Sequence, residues 1–207
     1  MIELLTANTP NGKKITIMLE EIKYKYKVTK VNIQKDEQFD PKFREISPFS
    51  KIPVIIDHDN KISLFESGAI LMYLGKKSGK FYPEKNKDLI NQWLMGQMAY
   101  VGPMLGQHHQ FHHYNPGKSD WGEKRYFKIA KTIYGDLDER LEKNEFLAGD
   151  YSIADIATFP WIARHEWHDV GLKKFKNLCR WYSKISQREP VIRGYDLLNK
   201  EEKIPKA

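Results

Sequence analysis

Along the first eighty residues the apolar positions keep changing their period. Ile2 to Thr6 is a short apolar run with the length of a buried strand. Ile15, Met18, Leu19 and Ile22 then recur at helical spacing, which predicts an amphipathic helix over Gly12 to Ile22. Lys27 to Ile33 alternates, with Thr29, Val31 and Ile33 on one face. Pro41 to Ile46 reads as a short helical turn and Ile52 to Ile56 as a compact buried strand. The turn cluster Asp57-His58-Asp59-Asn60 leads into Ile62 to Phe65, so these two apolar runs form a hairpin. Glu66 to Lys77 is predicted helical, with Ile70, Tyr73 and Leu74 inward.

The order is β-α-β-α-β-β-α. A right-handed crossover joins the first two strands, and the hairpin closes a four-stranded mixed sheet, the thioredoxin-like arrangement. Pro53 cannot donate to a ladder, so it opens its strand or sits at an edge, and a cis bond there would suit a tight entry into the sheet. Strand signals stop near Phe81. Asp88 to about Tyr100 and Asp120 to Lys143 read as helices, with Gly102-Pro103 as a kink or break after the first. Ser152-Ile153-Ala154-Asp155 matches a capping box ahead of an apolar run that reaches Trp167. Lys174 to Gln187 is a further helix, stopped before Pro190, and the charged tail from Lys200 to Ala207 is expected to fray. The predicted class is α+β: a thioredoxin-like domain over residues 1–80, then an all-helical domain over 88–207.

Composition narrows the setting. With 41% hydrophobic and 13% aromatic residues in 207, the chain has ample material for a packed core. The single cysteine, Cys179, excludes an intramolecular disulfide framework and a multi-cysteine zinc site, and fits a reducing compartment. No apolar run approaches the ~18 residues of a membrane helix. The acid at Glu3 is unlike the basic start of a signal peptide, so a cytoplasmic protein without a membrane partner is expected. Lys plus Arg is 34 and Asp plus Glu is 27, giving +7. That excess is spread along the chain without a basic-aromatic recognition motif, and is read as lysine-rich composition suited to an anionic small ligand, with no nucleic-acid partner.

Five motifs follow one another in order over nearly the whole chain. They are Thr9-Pro10-Asn11-Gly12, Ser47-Pro48-Phe49-Ser50-Lys51-Ile52-Pro53, Leu64-Phe65-Glu66-Ser67-Gly68-Ala69-Ile70, Gly102-Pro103-Met104-Leu105-Gly106-Gln107, and Tyr151-Ser152-Ile153-Ala154-Asp155. Together they resemble the glutathione transferase family. The first and fourth resemble its bacterial nu class in particular, whose members are disulfide-bond oxidoreductases. The family's better-known classes use Tyr or Ser near the first motif; the Thr-Pro-Asn segment departs from them, which puts tyrosine-type transferase activity in doubt.

A thioredoxin-type enzyme would place a cysteine pair where the first strand meets its helix, because a helix N-terminus stabilises a thiolate. Thr9, Pro10, Asn11 and Gly12 bring no sulfur to that place, so if the turn is active the thiol must arrive with the ligand. The resemblance implies that glutathione, as co-substrate, supplies it. The Thr9 hydroxyl, the Asn11 amide and the backbone N–H groups of the helix start are the candidate catalytic contacts to its sulfur; the plainer role for Asn11 is a helix cap. Glu66 and Ser67 open another helix, an anion site by its free N–H groups and dipole. The resemblance implies that Ser67 takes the γ-glutamyl carboxylate and Glu66 the ammonium. Ile52, just before Pro53, would pair its backbone with the cysteinyl unit as an added strand does. Lys51 and Gln38 are candidates for the glycine carboxylate and nearby backbone. Arg125 matches a nu-class position that meets a second glutathione carboxylate, which a planar guanidinium grips with two bonds.

His108/His112 and His109/His113 are each four apart, a spacing that can bind metal, but no Glu follows the first His and no third ligand is evident, so no metal is expected. The resemblance instead places these rings beside the thiol site. Ser152 and Asp155 are structural caps, Cys179 a small buried hydrophobe, and Trp161, Trp167 and Trp181 core residues. The functional expectation is a glutathione-dependent disulfide-bond reductase acting on small-molecule disulfides, and by resemblance a homodimer. Its rivals are a transferase or peroxidase acting on electrophiles or hydroperoxides, and a glutathione-binding scaffold that turns nothing over.

Overall fold

The computed structural model describes residues 1–207. The chain divides into two compact units, Met1–Pro83 with Glu189–Lys203, and Glu84–Arg188 with Ile204–Ala207. The end of the 88–207 segment, residues 189–203, thus groups with the first unit.

The first unit is built on β1 (Ile2–Thr6), β2 (Tyr26–Lys30), β3 (Val54–Asp57) and β4 (Ile62–Phe65), ordered β2-β1-β3-β4. β1 runs parallel to β2, with Leu4 opposite Val28, and antiparallel to β3, with Leu4 opposite Ile55. β3 and β4 pair antiparallel, Val54 opposite Phe65. This is the expected four-stranded mixed sheet. Pro53 directly precedes β3 and its bond to Ile52 is cis. β2 is shorter than the alternation suggests. Asn32 Oδ1 accepts the N–H groups of Gln34 and Lys35, and this local side-chain turn carries Ile33–Lys35 into a 3₁₀ turn.

Between the strands lie α1 (Pro10–Ile22), α2 (Pro41–Ile46) and α3 (Ser67–Ser78). α1 is buried nearly all round, including Lys13 and Lys14, because α3 and α10 (Glu189–Asp196) both pack on it. Pro190 does not stop the chain. It occupies the first turn of α10, where an N–H has no intrahelical acceptor to lose. The tail is held too: Glu202 pairs with buried Lys13, Asn8 Nδ2 donates to Glu202, and Lys203 pairs with Asp196. A buried ammonium needs such a carboxylate.

At the hairpin, Asp57 is buried and accepts from Tyr73, Asn60 and Lys77. Burial raises its carboxyl, but the bonds from Lys77, Tyr73 and the Asp59 N–H outweigh it and hold it at about 2.

The second unit is helical. α4 (Lys87–Gly96) runs into a π-helical turn over Gln97–Val101, then α5 (Gly102–His108), then a second π-helical stretch over His109–Tyr114. Gly102-Pro103 therefore does not break the winding. Pro103 sits in the first turn of α5, and the wider π turn before it absorbs the irregularity. α6 (Asp120–Glu142), α7 (Ile153–Ile162), the short α8 (His165–His168) and α9 (Lys176–Ser186) complete it. The apolar run after Ser152 is divided at Ala163–Arg164 instead of reaching Trp167 as one helix.

Ser152 and Asp155 form a capping box. Asp155 also accepts from Leu147 N and Trp181 Nε1, both at 2.9 Å, so one carboxylate joins a loop, a cap and α9. Tyr182 OH donates to the Pro205 carbonyl and ties down the end of the chain.

Candidate functional site

Thr9 is extended and its Oγ1 accepts the Gly12 N–H at 3.1 Å, which makes Thr9 the N-cap of α1, with Pro10 and Asn11 in the first turn. The capping role considered for Asn11 therefore belongs to Thr9. A hydroxyl that accepts still has a proton to donate. Gly12 allows α1 to begin tight against β1: an added Cβ would lie 2.3 Å from the Ala7 carbonyl oxygen and 2.6 Å from Thr6 Oγ1.

The next wall is the loop before β3. Ser47 Oγ donates to the Lys51 carbonyl at 2.7 Å and accepts the Lys51 N–H at 3.1 Å. Ser50 takes the left-handed conformation and donates its N–H to the Ser47 carbonyl. One buried serine thus closes the loop and delivers Lys51, Ile52 and Pro53 in a fixed order. The third wall is the start of α3. Glu66 has a positive φ of 68° at the N-cap position and makes no side-chain capping bond. Its carboxylate is exposed, while Ser67 behind it is buried.

These three segments enclose one cleft of about 140 Å³, lined by Asn11, Ser47, Phe49, Lys51, Ile52, Pro53, Phe65, Glu66 and Ser67. Six candidate residues are brought together there: Asn11, Lys51, Ile52, Pro53, Glu66 and Ser67. Phe49 and Phe65 meet edge to face at 6.2 Å on its rim. Thr9 stands beside the cleft as the cap of α1 and is not in its lining. Gln38 is also outside the lining; its Nε2 donates to the Ile33 carbonyl and to Asp36 Oδ1, both at 3.4 Å. Arg125 belongs to the helical unit, exposed on α6, with its guanidinium 5.3 Å from the Trp121 ring centre. Reasoning from sequence missed Ser47, Phe49 and Phe65 as lining residues, although all three lie inside motifs it singled out. It also missed Lys14, whose Nζ reaches Ser67 Oγ at 3.3 Å.

The cleft's chemistry follows. The first-turn N–H groups of α1 and α3 favour negative charge. Lys51 adds a cation, Glu66 an anion, and Asn11 an amide able to donate. No cysteine lines it; Cys179 is half-buried on α9 of the other unit.

The histidines are used within the helical unit. His108 Nε2 bonds the His168 carbonyl at 2.9 Å, His109 Nε2 meets His168 Nε2 at 2.8 Å, and His168 Nδ1 meets Tyr134 OH at 2.7 Å. His108, His109 and His168 are all buried. Burial, followed by the neighbouring charges of His108, Arg164 and His113, pushes His109 down to about 3. Burial and then His109 push His168 well below the usual imidazole range.

Family models for the N-terminal and C-terminal domains of glutathione S-transferases match residues 2–76 and 124–189. The chain is 41% identical over 196 residues to the disulfide-bond oxidoreductase YfcG of Escherichia coli, covering 91% of each. It resembles the solved structure of a Burkholderia graminis glutathione transferase with two glutathione molecules bound per subunit. The TM-score is 0.90 at 38% identity, covering 96% of this chain and 89% of that one. A Pseudomonas putida glutathione transferase with one glutathione disulfide bound per subunit matches with a TM-score of 0.88 at 38% identity, covering 95% and 91%.

Proposed function

The chain belongs to the glutathione S-transferase family, and we propose that within it this protein is an enzyme that reduces small-molecule disulfides with glutathione as the source of the thiol. The observation that carries this reading is the cleft itself. It gathers two helix starts, a cation, a carboxylate and a donor amide, and no sulfur. The similar structures hold two glutathiones or one glutathione disulfide, and the relative named above is a disulfide-bond oxidoreductase, which supports the same reaction here.

In this reading the γ-glutamyl carboxylate sits at Ser67 and its ammonium at Glu66. The cysteinyl backbone pairs with Ile52 beside Pro53, and Lys51 and Gln38 serve the glycine end. The sulfur lies at the start of α1. A thiol's ordinary value is about 8.5, and lowering it by ~2 units requires about 2.7 kcal/mol of preference for the anion. Two hydrogen bonds to a charged group, at about 1.5–3 kcal/mol each, are of that size, and the Asn11 amide and Thr9 hydroxyl are the donors.

The thiolate attacks one sulfur of the substrate disulfide. A mixed disulfide forms, and the substrate's other sulfur leaves as a thiolate that takes up a proton. A second glutathione thiolate, its carboxylate held by Arg125, attacks the glutathione sulfur of the mixed disulfide. It forms glutathione disulfide and expels the second substrate thiol. Two glutathiones are oxidised and one disulfide is reduced, with no bond to the protein; positioning and charge stabilisation do the work. The motifs Thr9–Gly12 and Gly102–Gln107 support a place in the nu class. We extend the reading to a homodimer working in the cytoplasm, where a lone cysteine meets a reducing environment.

The test is an assay with glutathione and 2-hydroxyethyl disulfide on the wild type and on Cys179→Ala. Turnover is expected in both at similar rates. Loss of most activity in a folded Cys179→Ala protein would point to a protein-thiol mechanism. A faster reaction with an aryl halide or a hydroperoxide would make the protein a conventional transferase or peroxidase. Glutathione binding by calorimetry without any turnover would make it a scaffold.

A further inference from the structure

The segment Thr9–Gly12 joins β1 to the body of α1, and the residues on either side of it are held by a single side chain. Just before it, Asn8 is exposed and sits at the centre of a three-residue turn, closed by the Thr9 N–H donating to the Ala7 carbonyl at 2.8 Å. The Asn8 amide donates from Nδ2 to Glu202 Oε2 at 2.6 Å. Just after the segment, Lys13 is fully buried, and its Nζ lies 3.3 Å from Glu202 Oε1. The two oxygens of one carboxylate therefore meet the two residues that bracket the segment.

Glu202 is brought there by the course of the chain after α10. A turn forms at Asn199, whose Oδ1 accepts the Glu201 N–H at 3.1 Å and whose carbonyl accepts the Glu202 N–H at 3.2 Å. Ahead of that turn, Lys30 Nζ donates to the Leu198 carbonyl at 3.3 Å; beyond it, Lys203 pairs with Asp196. An ion pair between two exposed groups would hold little. Here one partner is buried in α1, and the other arm of the same carboxylate reaches the turn in front of the helix.

We propose that Glu202 is a positioning residue for the thiol-binding turn: by bridging Asn8 and Lys13 it fixes the direction in which Thr9–Gly12 meets the sulfur. This rests on the glutathione reading above. Hydrogen bonds weaken steeply as their angle opens, and a misplacement of about 1 Å can cost about 100-fold in rate. A side chain that steadies the turn from outside the cleft therefore acts on the reaction without touching the substrate.

The experiment compares wild type with Asn8→Ala, Glu202→Ala and the double variant. Each is saturated with glutathione and assayed on 2-hydroxyethyl disulfide, and the ultraviolet absorbance of the bound thiolate is followed against pH. Each single variant is expected to lower kcat about tenfold. The midpoint of thiol ionisation is expected to rise by about half to one pH unit. Glutathione affinity by calorimetry stays within about threefold, because Ile52, Glu66 and Ser67 are unchanged. The double variant behaves as Glu202→Ala alone, since the contact made by Asn8 is already gone.

Wild-type kcat and thiol midpoint in the single variants, whatever their urea midpoints, would make Glu202 a structural anchor and overturn the proposal while the glutathione reading stands. Losses that add in the double variant would overturn it as well. A wild type that binds no glutathione removes both. If circular dichroism shows Glu202→Ala unfolded, the pH profile of Asn8→Ala, which changes only an exposed side chain, decides alone.

Discussion

Asn11 owes its availability to its neighbour. Because Thr9 caps α1, Asn11 is placed in the first turn and lines the cleft. Asn11→Ala is therefore expected to lower kcat/KM for a small disulfide by about 10- to 100-fold, the size of one hydrogen bond to a charged sulfur. Thermal melting of the same variant should change little, since no cap is lost. Thr9→Ala differs, because removing the cap costs about 1 kcal/mol of stability besides. The candidate residues legible in the sequence are those whose chemistry sits beside local punctuation. Asn11 lies between Pro10 and Gly12, Ile52 abuts Pro53, and Ser67 precedes Gly68. Lys14 carries no such mark. A lysine between Lys13 and Ile15 reads as a solvated charge, and only the packing of two helices on α1 buries it.

That packing is an element-scale feature. α10 approaches α1 so closely at Gly194 that an added Cβ would stand 2.6 Å from the Ile17 Cα and 2.7 Å from its nitrogen. Thr16 Oγ1 also donates to the Gly194 carbonyl at 2.6 Å. Gly194→Ala is expected to destabilise the protein by about 1–3 kcal/mol, the ordinary cost of overpacking, measured as a lower urea midpoint with an unchanged slope. Sequence periodicity read one face of α1, the one given by Ile15, Met18, Leu19 and Ile22. The opposite face was hidden because α10 begins with Glu189-Pro190, and the proline reads as a stop. The hairpin of β3 and β4 was legible because turn residues and apolar runs agree there. The π-helical stretches were not, since their wider winding leaves no distinct spacing of apolar positions.

At the scale of the molecule, pH acts through buried groups of opposite sense. His108, His109 and His168 each hold protons less tightly folded than unfolded, burial being the first cause. The unfolded chain binds protons first. Stability is therefore intact above about pH 6.5 and falls below it, by up to about 1.4 kcal/mol per pH unit for each imidazole. Asp155 runs the other way. Burial, outweighing its four hydrogen bonds, raises it to about 6, so its contribution is present at low pH and lost as pH rises through that value. Asp57, held at about 2, is stabilising above about pH 4 and loses that contribution only as pH falls toward 2. Three histidines against one aspartate predict weaker folding at pH 5 than at pH 7, and a shallower decline in His109→Gln, both read from urea midpoints at each pH. The course of the chain adds a last consequence. Residues 189–203 belong to the unit that begins at Met1, so the helix that covers Ile17 and the carboxylate that meets Lys13 are translated after residues 84–188 of the helical unit. A ribosome delivers residues 84–188 before the first unit can close. Residues 1–83 must wait, α1 half uncovered, until residue 203 has been made.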